Sequence, residues 1–518
     1  MVAVVLGSGV VFLDSTVVNV ALPRIGQELP SSRLGVLEAQ SYVYSAYLLS
    51  LSALLILAGA LADRYGRRRI FALGLASFGA TSALCGVAPT MELLIAFRVL
   101  QGAAGAMLVP GSLALINATF RGQAQGRAYG VWAGASAATT ILGPFVGGVL
   151  VDAVSWRSVF LINLPLVAFG LYATLRHVEE SRDPSAPRGF DWVGACAIAL
   201  SVGGLSFGAI RGQQAEWSGA VPFVALGVGA VATVCFPFIE RRSAHPLVPL
   251  ELFGSRNFSV ANVSTVLIYG SLYVSFYYLG LFLQGTIGYT AAAAGVAGVP
   301  GSVLLALFSS KVGGVAARHG PRVFMTVGPA IMALGVLWFA RTPSDGAAWP
   351  FDVLRPSTYV PPLDYVVDFL PGLLVFGLGI TILVAPLTTA VMTSIPSRNA
   401  GVGSAINNAV SRVGPQLAGA VIFIAIAASF VSAVEHRVPL EASVRTDVSP
   451  LNPPPEGASP ELRAAVREAS TDAFHLAMTI SAGLLIAGAV VNGVGIRNRP
   501  VADAGASATT DAPVAGAP

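Results

Sequence analysis

The chain has 518 residues, of which 54% are hydrophobic and only 11% charged, with a net charge of +4 and a mean hydropathy of +0.73. A soluble domain carries about 25% charged residues, and a water-soluble globule of this length could not hide so much apolar surface. These values exclude disorder, a disulfide-stapled secreted scaffold and a nucleic-acid binder.

Fourteen apolar runs are long enough to cross a bilayer: 2–22, 40–62, 70–88, 91–117, 127–151, 158–175, 190–210, 220–239, 258–284, 291–313, 322–340, 366–392, 401–431 and 473–495. Hydrocarbon offers no partner to unpaired backbone groups, so each run is predicted to be a helix. The first begins almost at Met1 with no basic residue ahead of it and carries Asp14 and Asn19. It reads as a retained helix rather than a cleaved leader. Asp14 lies roughly 14–18 Å from either end of the run at helical rise. A carboxyl at that depth costs about 2.5–3.5 kcal/mol on the insertion scale unless it meets a cavity or a partner. Dry surroundings favour the protonated form of a carboxylic acid, which suits proton carriage.

The second run holds Tyr47 and ends in a tight turn with Gly59, Asp63, Arg64, Gly66 and Arg67. Glycines allow close approach and reversal. Asp63 can accept from an arginine or cap a positive helix N-terminus, and Arg127, after the next turn on the same side, is a candidate partner. The fourth run carries Arg98 and Gln101. A guanidinium stays charged at any working pH and must find an acceptor; the sequence leaves open whether that acceptor is Asp14. In the fifth run, Gly143, Pro144, Gly147 and Gly148 combine a missing backbone donor with close-packing positions.

The ninth run places Tyr269, Tyr273, Phe276, Tyr277 and Tyr278 on one span, and the thirteenth carries Asn407, Asn408 and Arg412. Aromatic walls with a few polar groups suit amphiphilic ligands, so Asn19, Tyr47, Gln101, Tyr273, Tyr277, Asn407, Asn408 and Arg412 are the candidate cavity residues. The loop 432–472 is expected to be an outer cap with little fixed structure, and 500–518 a disordered tail.

The segment 59–68 recurs at 313–322, with Ala317 where Asp63 stands. Gly143-Pro144 with Gly148 recurs as Gly414-Pro415 with Gly419. The chain therefore divides into a six-helix bundle at 1–176, two inserted helices within 177–257, and a second six-helix bundle at 258–499. Related halves meeting at mid-membrane are an architecture of secondary transporters. With the N-terminus inside, 18 basic residues fall on inner segments and 10 on outer ones, four of the latter in 432–472. Both termini are thus expected in the cytoplasm. A single lysine, Lys311, against 29 arginines points to a GC-rich bacterial genome, and hence to a bacterial inner membrane.

Cys85, Cys196 and Cys235 sit in apolar runs and no two have ligand spacing, and His177, His245, His319, His436 and His475 lie in loops or at span ends. No metal, cofactor or enzymatic centre is expected, and no nucleotide-binding G-x-x-x-x-G-K-[ST] run is present.

Four segments, Leu13 to Pro23, Gly59 to Arg69, Arg98 to Gly102 and Gly143 to Gly148, together resemble the major facilitator superfamily and its fourteen-helix drug:proton antiporter branch. The resemblance implies an all-α polytopic membrane protein of two six-helix bundles plus two inserted helices. It implies roles in proton coupling for Asp14 and Arg98, a cytoplasmic gate at Gly59 to Arg67, and an exporter motif at Gly143 to Gly148. The expected activity is proton-driven export of small lipophilic or cationic compounds by alternating access, by a monomer whose partners are its cargo, protons and lipid. Export of one endogenous metabolite is the alternative, and a non-transporting sensor or scaffold the reading from another class.

Overall fold

A computed structural model describes residues 1–30, 36–182, 190–214, 217, 219–352, 355–438, 448, 450–452 and 457–498. The expected tail 500–518 lies outside the described residues. The described chain contains helices and no strand. These are α1 (Val2–Glu28), α2 (Val36–Tyr65), α3 (Arg67–Gly86), α4 (Met91–Ala106), α5 (Val109–Thr119), α6 (Gly122–Ala153), α7 (Ser158–Leu161) and α8 (Asn163–His177). They continue as α9 (Trp192–Gln214), α10 (Val221–Arg242), α11 (Arg256–Leu281), α12 (Ala291–Ala297), α13 (Val299–His319) and α14 (Arg322–Phe339). The last are α15 (Leu370–Thr393), α16 (Ala400–Arg437) and α17 (Pro460–Gly495).

Thirteen stretches of described helix are long and apolar enough to cross a membrane. The fourteenth expected span, 127–151, lies within α6, a 32-residue helix packed against α1 and α13. The protein is a multi-pass membrane protein of two helical bundles. In the first, α1 packs on α6 and α8, α2 on α4, and α3 on α4 and α8. In the second, α11 packs on α16 and α17, α13 on α15, and α14 on α15 and α17. The halves meet along two seams, α2 with α16 and α6 with α13. Of the inserted pair, α10 lies on α9, and α9 lies across the first seam, touching both α2 and α16.

Glycines set these approaches. A Cβ on Gly59 would stand 2.5 Å from the Gly401 carbonyl oxygen, and one on Gly126 would stand 2.5 Å from that of Gly313. Both contacts lie at the end of the bundle that carries Arg64 to Arg69, termed here the basic end. The repeat detected in the sequence thus corresponds to two seams built on paired glycines.

Loop 432–472 is more ordered than expected. Helix α16 continues to Arg437, and α17 already begins at Pro460. The cause is local: Ser459 accepts from the Leu462 amide at 3.2 Å, Pro460 occupies the first turn, and Glu461 sits at the positive helix end. Arg437 then clamps the two helices through Glu468 at 3.0 Å and Asp472 at 2.9 Å, which lie one turn apart on α17. Within this stretch 439–447, 449 and 453–456 are outside the described residues.

Candidate functional site

Asp14 and Arg98 are both wholly buried and form an ion pair between Arg98 Nη1 and Asp14 Oδ2. The sequence places each deep within an apolar span, and the fold brings α1 and α4 together around them. Gln101, one turn from Arg98, closes the arrangement. Its amide nitrogen donates to Asp14 Oδ1 at 2.9 Å and to Ser82 Oγ at 3.2 Å, while its oxygen accepts from Arg98 Nη1 at 2.8 Å. Asn163 at the start of α8 donates to Asp14 Oδ1 at 3.1 Å and to Ser82 at 3.0 Å. Arg98 Nε donates to the Val43 carbonyl at 3.1 Å, and its guanidinium lies 4.1 Å from the centre of the Tyr47 ring.

Two expectations are corrected here. Gln101 and Tyr47 are not cavity walls: both are fully buried within this cluster, and the Tyr47 hydroxyl donates to the Val11 carbonyl at 3.1 Å. Gly102 permits it, since a side chain there would overlap Ser50 and the Tyr47 carbonyl. Asn163 and Ser82 were not singled out from the sequence. The available signal was weak: Asn163 is the one side-chain amide in the run 158–175. Cys85 is buried and donates to Gln101 Oε1 at 3.5 Å, whereas Cys196 and Cys235 are exposed on α9 and α10.

At the basic end, Asp63 is 7% exposed and accepts four hydrogen bonds. Arg67 supplies two, at 3.0 and 2.8 Å, and the amides of Gly401 and Val402 supply the others, both at 3.0 Å. Those amides belong to the first turn of α16 and have no intrahelical acceptor. Asp63 therefore caps a helix of the opposite half, and its charge meets the positive end of the helix dipole. Arg67 reinforces the seam through the Ser397 and Arg398 carbonyls. The suggested partner Arg127 is instead on the other seam, where its side chain lies over Gly314. There Ala317 provides no acceptor, and Arg318 Nη2 donates to Gln123 Oε1 at 2.5 Å.

Gly66 has φ +112, which permits the reversal between α2 and α3. Glu180, which sequence reasoning did not select, accepts from the amides of Arg68 at 3.1 Å and Arg69 at 3.2 Å and so caps α3. The Arg64 guanidinium lies 5.2 Å from the Tyr65 ring centre and 5.8 Å from that of Phe190.

The Gly143 segment packs on α1 just past Asp14. A Cβ on Gly143 would overlap Thr16 Oγ1, and one on Gly147 would stand 3.1 Å from the Val17 carbonyl oxygen. Gly148 is the exception among the expected packing glycines, because a Cβ there meets nothing within 4 Å. Helix α6 passes through position 144; the Pro144 side chain lies outside the described residues.

Away from the basic end, Asn19 and Tyr44 of the first half come near Tyr273 and Arg412 of the second. Asn19 is exposed, Tyr273 is 54% exposed, and Tyr44 and Arg412 are half-buried. Tyr44, also missed in the sequence, shares a side-chain hydrogen bond with Asn19 and lies within electrostatic range of Tyr273 and Arg412. Tyr269 and Tyr273 face each other along α11 with ring centres 6.4 Å apart, and Tyr277, one turn on, is 58% exposed. Asn407 points elsewhere: its amide donates to Asn262 at 3.2 Å and Thr265 at 3.0 Å, inside the second bundle. Asn408 donates to the Ser404 carbonyl at 2.9 Å. Among the described residues, no three His, Cys, Asp or Glu side chains group as metal ligands.

Residues 4–419 match the profile of the Major Facilitator Superfamily. The chain is 34% identical over 429 residues to the multidrug resistance protein Stp of Mycobacterium tuberculosis (strain CDC 1551 / Oshkosh), which covers 83% of this chain and 75% of that protein. It is 29% identical over 506 residues to the tetracenomycin C resistance and export protein of Streptomyces glaucescens, covering 95% and 90% of the two chains. Among solved structures it is similar to the proton:xylose symporter XylE, with a TM-score of 0.57 at 13% identity, over 94% of this chain and 93% of that one. At that identity the likeness shows the fold alone.

Proposed function

The chain belongs to the major facilitator superfamily, and on that premise we propose that it is a proton-coupled exporter of small lipophilic compounds working by alternating access. The observation that carries this reading is the Asp14–Arg98 pair, wholly buried at mid-span. An arginine cannot give up its charge to relieve such burial, so the group that can change state is the carboxyl. The names of relatives, which speak of multidrug resistance and of antibiotic resistance and export, support efflux as the direction.

In this reading the basic end faces the cytoplasm of a bacterial cell, with both termini inside, and a single chain carries the full pathway. The seams at Asp63 and Gly126 then close the cytoplasmic side, while the space beside Asn19 and Tyr273 opens outward. A proton arriving from outside converts Asp14 to its neutral form and removes the counter-charge of Arg98. Tyr47 lies under that guanidinium, and Tyr44, one turn away on α2, lines the cavity. Loss of the pair thus alters the wall that cargo touches. Cargo leaves, the halves rock, and Asp14 releases its proton on the inner side. Proton and cargo drive the cycle because each binds the two access states differently.

The test is compound-induced proton release from inverted vesicles, run with acidic, neutral and cationic dyes on the parent and on Asp14→Asn. Release in the parent and none in the variant is expected. Equal traces from both would remove Asp14 from the coupling mechanism. A dedicated exporter of one compound is the second reading, favoured by the relative named for tetracenomycin C alone, which spans nearly the whole chain. Growth of a pump-deficient strain on a broad compound panel separates them: protection against one compound only supports the dedicated exporter.

A further inference from the structure

Arg412 is a charge for which the mechanism above has no use. It lies on α16, roughly 18 Å along the helix from Ala400, and so at mid-depth. It shares a stripe with Gly401, which touches α2 at Gly59, and with Asn408 one turn before it. From that seam α2 and α16 continue in opposite chain directions to the level of Tyr44 and Tyr47, both within electrostatic range of the Arg412 guanidinium. The side chain is half-buried. Among the described residues, it makes no hydrogen bond and no ion pair.

The surroundings decide what this cation can hold. Asp14 is the described carboxylate at comparable depth, and it is already engaged by Arg98, Gln101 and Asn163. A positively charged cargo would therefore meet an unpaired guanidinium and no free carboxylate among the described residues. A guanidinium cannot discharge itself, and in a low-dielectric cleft its field attracts anions strongly. We propose that Arg412 is the receptor for an anionic group on the cargo, and that the exported class is lipophilic aromatic acids. The carboxylate or ionised hydroxyl faces Arg412, and the ring system lies against Tyr44 and Tyr273. This inference rests on reading the chain as an exporter, but it concerns which ligand binds, not how transport is driven.

Binding of three matched probes to the purified full chain tests it without any proton gradient. The probes are naphthalene-2-carboxylate, naphthalene-2-methanol and naphthalene-2-methylammonium, titrated by calorimetry into parent, Arg412→Gln and Arg412→Lys. The carboxylate should bind the parent tightest. Arg412→Gln should weaken it roughly 10- to 100-fold, the range for losing a charge-assisted hydrogen bond, and leave the alcohol within about 2-fold. Arg412→Lys should keep the order of preference. Titrating chloride against the probes separates an organic acid from an inorganic anion: a carboxylate preference that persists at low and high chloride supports the proposal. Occupation by chloride with no carboxylate binding overturns it. Tightest binding of the ammonium probe, equal weakening of all three probes by Arg412→Gln, or no binding of any probe to the parent also overturns it. Normal probe selectivity beside unchanged proton traces in Asp14→Asn would sink the coupling mechanism alone.

Discussion

Replacing Asp63 by asparagine is predicted to loosen the basic end without unfolding either bundle. The carboxylate accepts four hydrogen bonds, two from Arg67 and two from the amides of Gly401 and Val402. Asparagine keeps one acceptor oxygen and presents an amide nitrogen to donors in place of the other. Hydrogen bonds to a charged group are worth about 1.5–3 kcal/mol against about 1 for neutral ones, and a carboxylate at a helix N-terminus adds about 0.3–2 kcal/mol. Arg67 keeps the Ser397 and Arg398 carbonyls, which limits the loss. The closed arrangement should weaken by about 3 kcal/mol, or about 100-fold in the ratio of closed to open forms. Hydrogen exchange reads this directly, because the Gly401 and Val402 amides have their acceptor in the opposite half. A peptide spanning 397–405 should lose about 100-fold of its protection, while one from the buried part of α17 should not change. Loss below about 3-fold, or equal loss in α17, would refute the assignment of Asp63 as a cap that joins the halves.

Other substitutions probe the remaining contacts. Gly143→Val should push α6 off α1 at Thr16 and cost about 1–3 kcal/mol of thermal stability together with transport, whereas Gly148→Val, which faces open space, should melt like the parent. Arg98→Lys should abolish compound-driven proton release, because a lysine cannot reach Val43, Asp14 and Gln101 at once; normal release would remove the geometric role of Arg98. Ser459→Ala should speed amide exchange over 460–466, by an amount matching about 1 kcal/mol, and leave efflux unchanged.

What could be read from the sequence follows from how conspicuous each group is against an apolar background. Asp14 and Arg98 stand out because charge inside a span is costly, and the structure brings them together. Asn163 and Ser82 complete the same cluster but are small polar groups of a kind that spans tolerate, so Asn163 stands out only weakly and Ser82 not at all. Asp63 is legible as an acceptor for an arginine or for a helix N-terminus, and it serves both, but neither the arginine nor the helix can be identified from the sequence. The arginine is Arg67, one turn on, rather than Arg127, and the helix end is a pair of backbone amides more than 330 residues away, which carry no sequence signal. The start of α17 was legible in Ser459-Pro460-Glu461, but the surrounding prolines drew attention to the loop. Tyr47 and Gln101 were assigned to the wall of a cavity because residue type alone does not tell which face of a helix looks inward.

The placement of α9 has a mechanical consequence. In the alternating-access cycle proposed above, a strut resting on two bodies that pivot against each other cannot travel with both, so each tilt makes it shift over one of them. Its bearing on α2 combines Gly203 set against the Ala53 methyl, where an added Cβ would sit 3.4 Å away, with Arg211, whose guanidinium lies 6.0 Å from the Tyr42 ring centre. On that proposal the added pair of helices is a brace along one flank, free to shift at Gly203 and held by Arg211 over Tyr42, and the stroke is bounded by how far that hold can give.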